Sequence, residues 1–112
     1  MLQDGFYQVT LNGPFGEGHG IVVLENNVLR GGDDLFVYEG SFVQTGSSGD
    51  AVSVSADLTA LIYSPHSPQK GEKFNVKCAG AGEGKSFKVT GKFANGELVT
   101  VQGAFISRLH FQ

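Results

Sequence analysis

Asp33 and Asp34, side by side in the stretch GGDDLFVYEG from Gly31 to Gly40, are the acidic pair best placed to do chemistry. Carboxylates of this kind hold a hard cation when further oxygens converge on the same point. Adjacent side chains in an extended chain point to opposite sides, so the pair alone cannot close around an ion. A turn explains the stretch with nothing added: glycine relieves the positive φ of a tight turn, and an aspartate bonds its own nearby backbone. The remaining candidates are scattered. His19, His66 and His110 have no partner at i+2 or i+4, and Cys78 is the only cysteine, so no zinc spacing is present. Cys78 paired with a histidine would be a nucleophile and its base, but its parity with Phe74 and Val76 points it inward, as a buried inert thiol. GEGHG at 16–20 and GAGEGK at 80–85 resemble phosphate loops in composition only. Each joins two strands and lacks the helix N-terminus that would hold an anion. No serine occupies a nucleophile elbow. The residues thus predict a protein that is not an enzyme, with no catalytic residue, no metal and no cofactor.

The frame that positions these residues is a single domain spanning 1–112, since the chain is of ordinary domain size. Seventeen glycines against three prolines indicate many turns and bends rather than disorder. One cysteine cannot form an internal disulfide, and no apolar run is long enough for a signal peptide or membrane span, so a cytoplasmic location and no membrane partner are expected. Charge divides along the chain. Residues 1–69 carry eight acids against one arginine, a net −7, and residues 70–112 carry seven bases against three acids, a net +4.

Period-two alternation recurs throughout, most clearly from Ala51 to Tyr63, where Val52, Val54, Ala56, Leu58, Ala60 and Ile62 share one face. The same pattern predicts eight strands, near 5–11, 19–25, 27–31, 35–45, 51–63, 73–80, 85–93 and 97–107. Short connections make successive strands antiparallel neighbours, and eight such strands close to remove exposed edges. The predicted fold is an all-β, eight-stranded, antiparallel up-and-down barrel. Parity also selects one turn. Phe87, Val89 and Phe93 must share a face with Val99, Val101 and Phe105, so odd pairs with odd; a three-residue loop Ala94-Asn95-Gly96, with Gly96 left-handed and Phe93 opposite Glu97, satisfies this. GGDD resembles the signature of diguanylate cyclases, but the larger α/β palm domain that carries that motif has no counterpart here.

Two surfaces follow. YEGSF at 38–42, VTGKF at 89–93 and VQGAF at 101–105 each place a glycine on an inward position. Such glycines either let strands coil around a filled core or shape a cavity lined by Tyr38, Gly40, Phe42, Gly91, Phe93, Gly103 and Phe105. Outside, all six lysines lie between Lys70 and Lys92, and Lys73, Lys77, Lys88 and Lys92 fall on outward positions of neighbouring strands. They form a basic wall that is either a solvated face or a site for an acidic protein partner or a second copy. No aromatic residues interleave with the lysines to stack bases, so nucleic acid is not expected.

Taken together, DGFYQVTL, GEGHGIVVLENN, RGGDDLFVYEG and VTGKFANGELVTVQGAFI resemble the GrlR-like family of bacterial cytoplasmic regulators associated with type III secretion. The resemblance spans nearly the whole chain. It implies a lipocalin-like barrel without known catalysis that binds a transcriptional regulator and forms a dimer. GFY at 5–7 and Arg108 are also similar to the lipocalin G-x-Trp strand and its closing arginine, with Tyr7 in place of tryptophan. One departure matters: where the founding regulator has an acidic cluster after the VYxG strand, this chain has TGSSGD, with Asp50 its only acid. The function expected is non-enzymatic regulation through protein–protein contact. The alternative is a small carrier holding a hydrophobic molecule inside the barrel.

Overall fold

The computed structural model describes residues 1–49 and 51–111. Eight strands follow one another: β1 (Gly5–Gly13), β2 (Gly16–Glu25), β3 (Val28–Gly32), β4 (Phe36–Ser48), β5 (Ala51–Ile62), β6 (Lys73–Glu83), β7 (Ser86–Lys92) and β8 (Leu98–Ser107). Each pairs antiparallel with the next, and β8 returns to pair with β1, so the sheet is a closed barrel. This is the expected fold. Among the described residues there is no helix long and apolar enough to cross a membrane.

The alternation that predicts the strands also fills the interior. Val52, Val54, Ala56, Leu58 and Ile62 are buried on β5, and Ser53, Ser55, Asp57 and Thr59 face out. The same inward set continues around the ring with Tyr7, Val9, Val22, Leu24, Leu29, Phe42, Val76, Phe87, Val89, Val99 and Val101. The register of the last hairpin is the one parity demands. Phe87 pairs with Gly103 and Val89 with Val101. Phe93 N donates to Glu97 O at 2.9 Å, and Gly96 is left-handed with φ 88°. The β2–β3 connection is a two-residue turn, Asn26-Asn27, with φ of 53° and 64°, a region asparagine tolerates.

Two connections are tighter than the sequence suggests. β1 and β2 remain paired to Gly13–Gly16, which reduces NGPFGEG to a turn on Pro14-Phe15 followed by Gly16 at φ 97°. β4 continues to Ser48 through a bulge at Gly46, φ 57°, so most of TGSSGD belongs to the sheet, and Asp50 lies outside the described residues. The role of the GGDD glycines also differs from expectation. Gly31 and Gly32 do not have positive φ. A Cβ on Gly31 would lie 2.2 Å from Ile21 O, and one on Gly32 would lie 2.6 Å from Phe36 O. They are glycines because at these two positions β3 runs too close to its neighbours for a side chain.

Candidate functional site

Asp33 is built into the β3–β4 turn by its own carboxylate. Its Oδ1 accepts hydrogen bonds from Leu35 N at 2.9 Å and Phe36 N at 2.8 Å, while its backbone N donates to Phe36 O at 2.9 Å. Its Oδ2 accepts from the Tyr38 hydroxyl, and Tyr63 OH donates to Asp33 O at 2.5 Å. A carboxylate with three donors already on it is poorly disposed to hold a cation as well. Among the described residues, no group of three or more His, Cys, Asp or Glu side chains is arranged to hold a metal ion. GGDD is thus an anchored turn. The Tyr38 phenol is held protonated, its pKa raised first by burial and then by the hydrogen bond and negative charge of Asp33.

GEGHG and GGDD meet at the same end of the barrel. Glu17, Gly18, His19, Asp33 and Asp34 border a surface hollow of about 200 Å³ floored by Leu11, Phe15 and Phe36. His19 Nε2 lies 3.3 Å from Glu17 Oε1 at its rim, both side chains exposed. His66 and His110 are exposed on other segments. Cys78 is buried, as its parity requires, among Leu11, Val76 and Val99 with no histidine in its surroundings. Burial, and then the negative charge of Asp57, push its thiol up to about 11, so it stays protonated near neutrality.

The four lysines of the expected basic wall are unevenly placed. Lys77 stands directly opposite Lys92, and these two with Lys73 border one shallow surface hollow of about 430 Å³. Lys88 is on the same outward face, paired with Ala81 and Gln102, but four residues along the strand, or about 13 Å from Lys92. It faces a different hollow, bordered by Glu83 and Gln102. All four are exposed. Among the described residues no acidic side chain forms an ion pair with any of them; the pairs present are His19–Glu17 and Arg30–Glu39. Asp57, across the ladder from Lys77, accepts instead from Asn75 Nδ2 at 2.8 Å.

The inward glycines are filled spaces. A Cβ on Gly103 would lie 2.2 Å from the Phe87 ring, one on Gly40 would lie 1.9 Å from Asp57 O, and one on Gly91 would lie 2.5 Å from Lys77 O. Phe87 in turn packs on Tyr7 and Phe42 with ring centroids 5.6 and 5.0 Å apart. Phe105 completes this group against Tyr7 at 5.4 Å. Gly103 borders an outer hollow, and of the seven predicted cavity residues Tyr38 and Phe93 border a small apolar space. That space, shared with Leu11, Phe36, Val76, Cys78 and Val99, measures about 30 Å³. The lipocalin-like arginine differs as well: Arg108 is exposed, and the cation over the Tyr7 group is Lys85, 5.7 Å from the Phe105 centroid.

Sequence reasoning missed Phe15. It sits in a turn, where alternation assigns no face, yet its ring meets Phe36, Phe74 and Phe93 at 5.5, 5.6 and 6.5 Å. The available signal was an aromatic residue between Pro14 and Gly16 in an otherwise polar connection. Compared with known proteins, the chain matches no protein-family model and no curated protein.

Proposed function

We propose that this chain is a non-enzymatic binding protein of the GrlR-like kind that acts on a regulatory protein by direct contact, with the basic wall as the contact surface. The Lys77–Lys92 pair carries this reading. Like charges directly opposite on neighbouring strands destabilise a sheet, and Asp57, opposite Lys77 on its other side, bonds to Asn75 and forms no ion pair with either lysine. An acidic partner surface relieves that repulsion. The partner is a transcriptional regulator on the strength of the four resembling stretches, or a second copy presenting its acidic N-terminal half. Because TGSSGD is mostly strand and carries a single acid, the contact is assigned to lysines rather than to this loop.

The test is a pull-down, with sedimentation for self-association, comparing wild type with a Lys73→Glu/Lys77→Glu/Lys92→Glu variant. Association that disappears in the variant and in 1 M salt, where the Debye length falls from about 10 to about 3 Å, supports the wall. Association unchanged in both removes it. The carrier alternative has one observation in its favour, an interior space faced by apolar atoms only. At about 30 Å³ it holds no lipid with the barrel as it stands.

A further inference from the structure

We propose that the open stretch of the β6 edge at residues 73–75 takes up an extended, acidic peptide segment by strand addition, in the line that β7 leaves at Lys92. The occupant is a segment of a partner protein in which Asp or Glu alternates with apolar residues. This deepens the protein-contact reading and rests on it.

The edge is open because β7 stops before β6 does. β6 pairs with β5 as far as Lys73 and Leu61, but its last pair with β7 is Lys77 with Lys92, after which the chain turns through residues 93–97 into β8. Ile62 N donates to Glu72 O at 2.9 Å and Ile62 O accepts from Gly71 N at 2.8 Å, so the backbone groups of Ile62 face the β6 side. By the alternation of an antiparallel ladder those of Ala60 and Leu58 do too, and their partners Phe74 and Val76 turn theirs back to β5. Lys73, Asn75 and Lys77 therefore turn their N–H and C=O groups away from β5. Lys77 has Lys92 opposite it; Lys73 and Asn75 have no backbone partner on that side among the described residues. Nor does either end of the described chain cover them, since Leu2 packs near Gly82 and Phe111 on Phe6, both at the opposite end of the barrel. Free N–H and C=O groups in a row are a template for another strand.

The side chains around the edge select the segment. Lys73 and Lys77 flank Asn75 on the outward face, and Lys92 stands where the added strand would meet β7. All four border the hollow of about 430 Å³, together with Phe74 and Phe93, whose ring centroids are 5.4 Å apart. Directly paired residues share a face, so a residue added opposite Asn75 points outward among the three lysines, and its two neighbours point inward toward the rings. Acid outside and apolar inside is the pattern that fits. The lysines also turn away a competitor. Charge on an edge guards against pairing with the same edge of another copy, because two such edges would set lysines against lysines, whereas an acidic strand meets opposite charge. Among the described residues none of the three lysines is engaged in an ion pair.

The test uses the wild-type protein and a short, end-capped peptide of alternating glutamate and valine, with two modified forms of equal charge. In one the glutamate nitrogens, which would face β6, are methylated; in the other the valine nitrogens, which would face away, are methylated. The plain and valine-methylated peptides should bind, and the glutamate-methylated one should bind at least about tenfold more weakly, the effect of losing one or two backbone hydrogen bonds. Amide exchange at Lys73 and Asn75, fast in the free protein, should slow when the plain peptide is bound. Equal binding of the two methylated peptides, with exchange at Lys73 and Asn75 unchanged, would mean contact by charge alone; it overturns strand addition and leaves the protein-contact reading standing. Binding by none of the peptides also overturns strand addition. The pull-down with the Lys73→Glu/Lys77→Glu/Lys92→Glu variant then separates the two ideas: a partner lost with the lysines keeps the protein contact, and a partner retained removes it as well.

Discussion

The two ends of the barrel are closed with the same material to different effect. At the end where the chain enters β1, Tyr7 and Phe42 are fully buried, the Phe87 ring occupies the room that Gly103 leaves, and Tyr7 OH donates to Gln3 O at 2.5 Å. At the other end Phe36, Phe74 and Phe93 form an equally aromatic group, but the ring on top comes from a turn and is partly wet. Aromatic content alone does not decide whether a barrel is sealed. What decides it is whether the outermost ring is borne by a strand, whose register fixes it, or by a loop, whose side chain is held by contact alone.

The largest contrast should come from truncating one ring at each end. Phe42→Ala should cost about 3–5 kcal/mol, the usual range for a fully buried phenylalanine. Phe15→Ala should cost only about 1 kcal/mol, since much of the ring is already exposed. Urea unfolding of the two variants checks the difference, and equal losses would erase the distinction between the ends.

Alkaline pH should weaken both ends. Tyr7 is pushed up to about 12 by burial and by Asp4, and Cys78 to about 11, and Tyr38 is raised as well. In the unfolded chain these groups ionise near their ordinary values of 10.0 for tyrosine and 9.0 for cysteine. Between about pH 9 and 12 the unfolded state has lost protons that the folded state keeps, so stability falls as pH rises. The slope is up to about 1.4 kcal/mol per pH unit for each group. Denaturant titrations from pH 8 to 11 measure it, and Tyr7→Phe should remove one group's share.

Asp33→Ala removes the acceptor for Leu35 N, Phe36 N and Tyr38 OH and should cost about 2–3 kcal/mol, with Asp33→Asn costing less because an acceptor oxygen remains. Amide exchange should quicken at Leu35 and Phe36 while the amides around Phe42 keep their protection. The smallest effect has the opposite sign. Lys92→Glu turns the row Asp57–Lys77–Lys92 into alternating charges and should stabilise the barrel by about 0.5 kcal/mol, less in high salt, even as it weakens an acidic partner's grip. A loss of stability would mean that the wall is held by something other than its charges.

The barrel was legible because one rule, alternation with a shared face across each pair, propagates from strand to strand. It places Phe93 opposite Glu97 and Cys78 indoors, as the structure has them. The rule is silent where the chain leaves the ladder. It could not say that Phe15 folds back over the mouth, nor that Tyr63, just past the end of β5 and thirty residues on, reaches Asp33 O. It also cannot tell a glycine that bends a strand from one that opens a hole. Gly40 and Gly103 look alike in sequence, yet the first lies against backbone and the second against a ring. Lys88 shows a third limit: parity gives the face and not the distance along it, so four outward lysines became three together and one apart.

The pairing of β8 with β1 joins residues as distant as Phe6 and Ser107. The ring therefore cannot close until the last strand has been made, and until then β1 and β7 each present an unpaired edge. Contacts of such long sequence separation slow folding, and open edges invite pairing with other chains during the wait. For a newly made chain, the hazardous interval lasts until residues 98–107 are free to pair with β1.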